Sequence, residues 1–328
     1  MADPIKHHFL PVFYLKNWCA HDGKIVEFSI PFDVVKPKRV HPRGTGYINR
    51  LYAIGDLPES ISYEIEKNFL SPVDSRAAIT LAAFIGGREV TVNERQAWSH
   101  FMMTLLMRTP AEIALLKEFA RKLNAEIGRS LFDVFQRHTP VALHNDIEQG
   151  FLEFNASIVS RSVAQILRIM STEEIVDRIS QMEWHVLDIG ATAHEFLTSD
   201  KPVVVVRNDR TAGNTVIALP IAPRKLFIAA TAKSLIKELQ NTNPKKISEA
   251  MNGEVVGGAN KLVYGRSDSQ LSFIAKRLGK IPTPSFVEGI LKEAGVSLES
   301  MVSYFLEFND SNIREEIEEI LERHSHRK

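Results

Sequence analysis

The chain has 328 residues, 44% hydrophobic and 24% charged, which excludes a disordered chain and leaves one large domain or two small ones. Forty Lys and Arg balance forty Asp and Glu, so a globally basic nucleic-acid binder is excluded while a local basic face is not. The single cysteine, Cys19, excludes a disulfide framework and a Cys-rich zinc module.

Residues 7–18 (HHFLPVFYLKNW) read as a short extended piece followed by a helical turn, because Pro11 disfavours helix in the residue before it. Residues 24–30 and 47–53 read as strands, with turn or loop material around Pro37, Pro42 and Gly44 between them. From about Ser60 to Met182 the pattern is helical. Thr91 with Glu94, and Ser171 with Glu174, have the spacing of a capping box. Thr109-Pro110-Ala111-Glu112 adds proline at the first helical position, and the helix it opens is predicted to reach Phe135.

The period then changes. Residues 184–190, 202–207, 215–221 and 225–231 are short apolar or β-branched runs bounded by Gly, Pro, Asp and Asn, and read as strands. Residues 234–240, 246–256 and 270–278 return to helix, and residues 252–264 read as a helix-like stretch broken by Gly257-Gly258. From Ser285 onward the chain is helical and acidic. The expected fold is α+β, a helical layer packed on a small mixed β-sheet. The expected organisation is a single compact domain over 1–285 with a helical tail over 286–328. Within the domain, 1–60 hold the N-terminal motif and a hairpin, 61–183 are helical and 184–285 are β-rich.

No apolar stretch follows Met1–Lys6 as a signal peptide requires, and no run of about 18 apolar residues occurs. The expectation is a cytoplasmic protein without a membrane partner.

Zero net charge hides a segregation. Residues 1–50 carry +4, 51–200 carry −8, 201–285 carry +9 and 286–328 carry −5. If the two basic blocks meet in space they form a basic face for an anionic partner; otherwise they are solvated surface of mixed charge.

Three short segments have residue types that do chemistry. His7 and His8 can act as general acid or base, or contact phosphate, or they can open a buried segment. A histidine pair alone lacks the further ligands of a metal site, and none is expected. Arg108-Thr109-Pro110 places an arginine at a helix N-terminus, which suits an anion; alternatively Thr109 caps and Arg108 pairs with an acid of the 51–200 block. Thr198-Ser199-Asp200-Lys201-Pro202 is a turn feeding a buried strand. There Asp200 either bonds backbone N–H groups or orients water at a cationic sugar transition state. No Walker phosphate loop, Gly-x-Gly-x-x-Gly, His-Glu-x-x-His, Gly-x-Ser-x-Gly or Cys-x-x-Cys occurs, so no nucleotide cofactor is expected.

Taken in order, the residues resemble one family. They are His7-His8-x-x-Pro11-x-x-Tyr14-Leu15, Arg108-Thr109-Pro110, Phe196-Leu197-Thr198-Ser199-Asp200-x-Pro202-Val203 and Leu219-Pro220-Ile221-Ala222-Pro223-Arg224. Met251-Asn252, Ala259 and Val263-Tyr264 close the set. They resemble the prokaryotic domain-of-unknown-function family numbered four-two-three-eight over roughly residues 5–270. The resemblance implies a bacterial cytosolic protein whose relatives often lie near mobile or defence genes, and hence phage nucleic acid as a target.

The resulting expectation is a DNA-acting hydrolase, a DNA glycosylase that removes a base from phage DNA and leaves an abasic site. Asp200, His8 and Ser199 are the catalytic candidates. Asp200 would orient water or stabilise the sugar cation, and His8 would assist departure of the base. His7, Tyr14, Asn17, Arg108, Thr109 and Arg224 are the candidates for contacting flipped-base or duplex DNA, with Tyr14 stacking and Arg108 holding phosphate. The alternatives are a metal-dependent nuclease and a non-enzymatic phage-sensing module. Geometry discriminates: convergence of the motifs on one cleft favours an enzyme, and local satisfaction of each favours a binding module.

Overall fold

A computed structural model of the chain describes residues 6–52, 69–119, 121–122, 125, 173–191, 194–208 and 214–293. The chain is α+β and divides into two units. The first comprises Met1–Tyr52, Tyr63–Pro110 and Ser171–Pro284; the second comprises Ala53–Ser62, Ala111–Met170 and Ser285–Lys328.

In the first unit, β1 (Lys6–His8) pairs antiparallel with β4 (Tyr47–Asn49), and α1 (Val12–Leu15) follows Pro11 directly. Pro11 supplies the fixed φ of a helix start, and its ψ of 142° ends the extended piece. The Phe9 and Leu10 amides donate to the Gly46 carbonyl at 2.9 and 3.1 Å. Gly46 has φ +66°, and a Cβ there would meet Leu10 at 3.1 Å, so this approach requires glycine.

A four-stranded sheet has the order β3 (Lys36–Val40), β2 (Ile25–Ser29), β10 (Val263–Gly265), β6 (Thr198–Ser199). Two expectations are corrected here. Residues 36–40 form a strand although they read as loop material, because β2 pairs with them from Ile25↔Val40 to Ser29↔Lys36 and supplies order that KPKRV lacks by itself. Residues 263–265 form a strand and not the end of a helix. The helix ahead of them stops at Gly257, whose carbonyl accepts from the Ile281 amide at 2.9 Å, and where a Cβ would collide with Ile281. Pairing of β2 with β10 also brings the two basic blocks of the sequence into one sheet.

The second four-stranded sheet has the order β5 (Glu183–Asp188), β9 (Lys225–Ala230), β8 (Asn214–Ala222), β7 (Val204–Asn208). These are the four strands expected from the apolar runs. Every described pairing is antiparallel, which corrects the mixed sheet expected. The short connections explain it: two residues, Pro223 and Arg224, separate β8 from β9, and a parallel crossover needs a dozen or more.

Alternation along β9 divides the core. Leu226, Ile228 and Ala230 join Ile236 of α6 (Lys233–Asn241) and Ile247, Met251 and Val255 of α7 (Pro244–Gly257). The intervening Phe227 packs on Phe84 of α2 (Ser71–Gly86) and Trp98 of α3 (Val92–Met107). Both faces of the sheet are therefore covered, which is why β9 reads as a continuous apolar run. Full burial of a Phe such as Phe227 is worth about 1.5–3 kcal/mol. The capping box expected at Thr91 closes reciprocally: Thr91 Oγ1 accepts from the Glu94 amide at 3.2 Å, and Glu94 Oε2 from the Thr91 amide at 2.8 Å. α5 (Glu173–Gln181) packs on α3. Arg95 of α3 donates to the Ser180 and Met182 carbonyls and lies 4.0 Å over the Trp184 ring. Ser171, of the second expected capping box, lies outside the described residues.

In the second unit, residues 111–119 are helical and α9 (Phe286–Glu293) starts at Ser285. Glu112 binds that start: its carboxylate accepts from the Ser285 hydroxyl and from the Phe286 and Val287 amides at 2.7–3.1 Å. These are the amides that a helix N-terminus leaves unpaired. Residues 121–122 and 125 are helical as well; the rest of the expected continuation to Phe135, and residues 294–328, lie outside the described residues.

Candidate functional site

The segments singled out in the sequence meet in the first unit, but mostly inside it. The Tyr14 hydroxyl, fully buried, donates to the Pro220 carbonyl at 2.7 Å. A phenol has one proton, so its 2.7 Å contact with Thr198 Oγ1 must run from the threonine to the tyrosine. Trp18 Nε1 donates to the Phe196 carbonyl at 3.0 Å. Asn252 Oδ1 accepts from the Leu197 amide at 2.9 Å, while its Nδ2 donates to the Glu195 carbonyl and Gln270 Oε1. Four separated motifs are thus joined by buried hydrogen bonds around residues 195–198. Tyr14, expected to stack on a base, is a core clamp, and burial pushes its pKa well above the ordinary phenol value.

Asp200 is 4% exposed. Its Oδ1 accepts from the Asn260 amide at 2.8 Å, and its Oδ2 from the Lys261 and Leu262 amides at 2.7 and 3.0 Å. Its own amide donates to the Leu262 carbonyl at 3.0 Å. The carboxylate fixes the turn ahead of β10 and so aligns β10 with β6, the turn-forming reading of this residue. Burial pushes its pKa above the usual carboxylate value, and the three amides oppose that rise. Ser199 is buried, with Oγ accepting from the Lys201 amide at 3.2 Å. Neither group is presented at the surface.

The two histidines differ. His7 is buried, stacks on Tyr52 with ring centroids 5.1 Å apart, and accepts from the Tyr52 amide through Nδ1 at 3.2 Å. His8 is half-buried and leans on Tyr47 at 5.5 Å. Its Nε2 is enclosed and has no hydrogen-bond partner. Burial depresses the His8 pKa most; a backbone hydrogen bond to Arg43 opposes this, and the charges of Lys6, Arg108 and His7 depress it further.

Arg108 ends α3 and is 2% exposed. Nη1 donates to both carboxylate oxygens of Asp74 at 3.0 and 3.1 Å, so the partner acid does lie in the 51–200 block. The guanidinium sits 5.3 Å from the Phe101 ring centroid. Nε and Nη2 are buried and have no partner. Burial raises the Asp74 pKa, and the Arg108 charge opposes the rise. Thr109 is buried beside it. Asn17 donates to the Tyr14 carbonyl at 3.0 Å and finishes the α1 turn. Arg224 binds the Gly190 carbonyl and lies 3.5 Å from Glu195, which also faces Arg266 at 3.5 Å.

A second feature was not singled out in the sequence. The β2–β3 hairpin ends in Ile30, Phe32 and Val34, all exposed, with Phe32 92% accessible. Phe32 has φ 54° and ψ 47°, and Asp33 φ 63°, in the left-handed region that costs a non-glycine residue roughly 1–2 kcal/mol. Lys36, Lys38 and Arg39 follow on β3, an edge strand exposed on both faces. The sequence signal was Pro31-Phe32-Asp33, turn chemistry around an aromatic, between an apolar strand and a basic one.

Among the described residues no group of three or more His, Cys, Asp or Glu is placed to hold a metal ion, and no helix is long and apolar enough to cross a membrane. Comparison with curated proteins and with solved structures gives no match. The model of the family described as "Protein of unknown function (DUF4238)" matches residues 6–269, and the chain belongs to that family.

Proposed function

We propose that the protein binds nucleic acid, DNA first, through the β2–β3 hairpin. The observation that carries this reading is Phe32, held exposed at some conformational cost on a tip flanked by Lys36, Lys38 and Arg39. Strain kept at an exposed aromatic points to use. An apolar wedge beside basic residues is how proteins unstack a base step while neutralising phosphates. Local satisfaction of Tyr14, Ser199 and Asp200 favours binding over catalysis at those residues. Base removal remains the reaction to test on bound DNA, because a wedge is also the device by which a base is extruded for hydrolysis. A cytoplasmic setting in anti-phage defence belongs to the same reading and is supported by the family resemblance.

The test is fluorescence anisotropy of labelled duplex and single-stranded DNA at two salt concentrations. Phe32→Ala and the double variant Lys36→Glu/Lys38→Glu are measured beside the parent chain. Binding that weakens with salt and falls at least about tenfold in the charge variant is expected. Absence of binding, or equal binding by both variants, overturns the reading. The bound phage or bacterial DNA is then treated with alkali in the presence of chelator. Alkali-dependent breaks add glycosylase activity, chelator-sensitive breaks add nuclease activity, and intact DNA leaves a binding module.

A further inference from the structure

We propose that the open edge of Arg108, Nε and Nη2, together with Nε2 of His8, forms an internal binding site for a phosphate-type oxyanion. A buried guanidinium almost always satisfies its donors, since a desolvated N–H left unpaired costs about 1–3 kcal/mol. Arg108 leaves two unpaired at 2% exposure, and they are the two that form one side of the fork. Asp74 takes Nη1 alone and holds the guanidinium against the Phe101 ring, so the remaining edge is fixed in direction. That edge matches the two oxygens of a phosphate or carboxylate. Phe101 packs on Phe13 and Tyr14 of α1, which follows β1, and β1 carries His8.

Charge decides how such a site works. The Asp74–Arg108 pair is close to neutral in sum, so the pair alone gives an anion little net attraction. His8 supplies the missing charge when it takes a proton on Nε2, the nitrogen without a partner. Lys6, His7 and Arg108 oppose that proton, a hydrogen bond to the Arg43 backbone favours it, and Tyr47 leans on the ring. An entering oxyanion reverses the balance, so binding takes up a proton and strengthens as pH falls. The site goes beyond the hairpin reading and does not depend on it.

Isothermal titration of the full chain tests it. The probes are inorganic phosphate, a nucleoside 5′-monophosphate and a dinucleoside monophosphate, each at about pH 6 and about pH 8. Saturable binding at the lower pH, weakened about tenfold or more at the higher, is expected. Arg108→Lys keeps a cation for Asp74 but lacks the fork, so it is expected to stay folded and lose binding. His8→Gln is expected to bind weakly and, for the diester, whose charge is constant across this range, without pH dependence. Binding of the phosphate monoesters indicates a free ligand, and binding of the diester alone indicates a nucleic-acid backbone. No saturable binding at either pH, or undiminished binding by a folded Arg108→Lys, overturns the proposal. Unchanged phosphate binding in Phe32→Ala separates this site from the hairpin.

Discussion

The Tyr14 hydroxyl reaches across 206 residues of sequence to the carbonyl of Pro220, at 2.7 Å. Thr198 binds the same oxygen, so α1, β6 and β8 meet at one atom with no solvent beside it. The contact explains why Tyr, Thr and a proline-interrupted strand form a recognisable set without forming a cleft.

Tyr14→Phe tests that role. The substitution leaves the Pro220 carbonyl without its donor and removes the acceptor of the Thr198 hydroxyl. Each buried group left unpaired costs about 1–3 kcal/mol. Urea unfolding is expected to show a loss in that range or somewhat above it, with DNA affinity unchanged. A stable protein with weakened DNA binding would return Tyr14 to the ligand surface.

Asp200→Asn replaces one acceptor oxygen with an amide donor facing backbone N–H groups. A loss of about 1–3 kcal/mol in unfolding free energy is expected, because Lys261 and Leu262, or Asn260, lose their partner. Retained stability with abolished base removal from DNA would instead make Asp200 catalytic.

His8 gives the protein an acid-sensitive element. Its folded pKa lies below 6.5, so the unfolded chain binds the proton more readily. The stabilisation is complete above about pH 6.5 and is lost as pH falls from there through the folded pKa. In phosphate-free buffer, His8→Gln is expected to flatten thermal-melting temperature against pH in this window. His185, also depressed by burial, retains its own share of the slope. An identical profile for variant and parent would remove the effect from His8.

Glu94 behaves oppositely in a lower range. Arg88 and the Thr91 amide hold its pKa down, at about 2 against a normal 4.5. The capping contribution is therefore present above about pH 4.5 and is lost as pH falls toward 2. Glu94→Gln is expected to reduce the acid dependence of unfolding there, and Thr91→Ala to lower stability by about 0.5–2 kcal/mol. Circular dichroism across an acid titration measures both.

Residue pattern alone determined the helix start at Thr91 with its capping box and the four strands from Glu183 to Ala230, because periodicity, proline and apolar runs act over a few residues. It also marked Arg108 and Tyr14 as unusual. Tertiary structure decided β3, whose Lys-Pro-Lys-Arg-Val residues extend because β2 offers a ladder, and β10, three residues that order between two strands. It decided which polar groups are spent: Asp200 on three amides, Tyr14 on a carbonyl, and Arg108 on Asp74 by one nitrogen of three. Phe32 belongs here as well, since nothing in Pro31-Phe32-Asp33 says whether its ring turns inward. Secondary structure follows from local sterics and spacing, whereas satisfaction of a polar atom depends on what the fold brings beside it, often two hundred residues away.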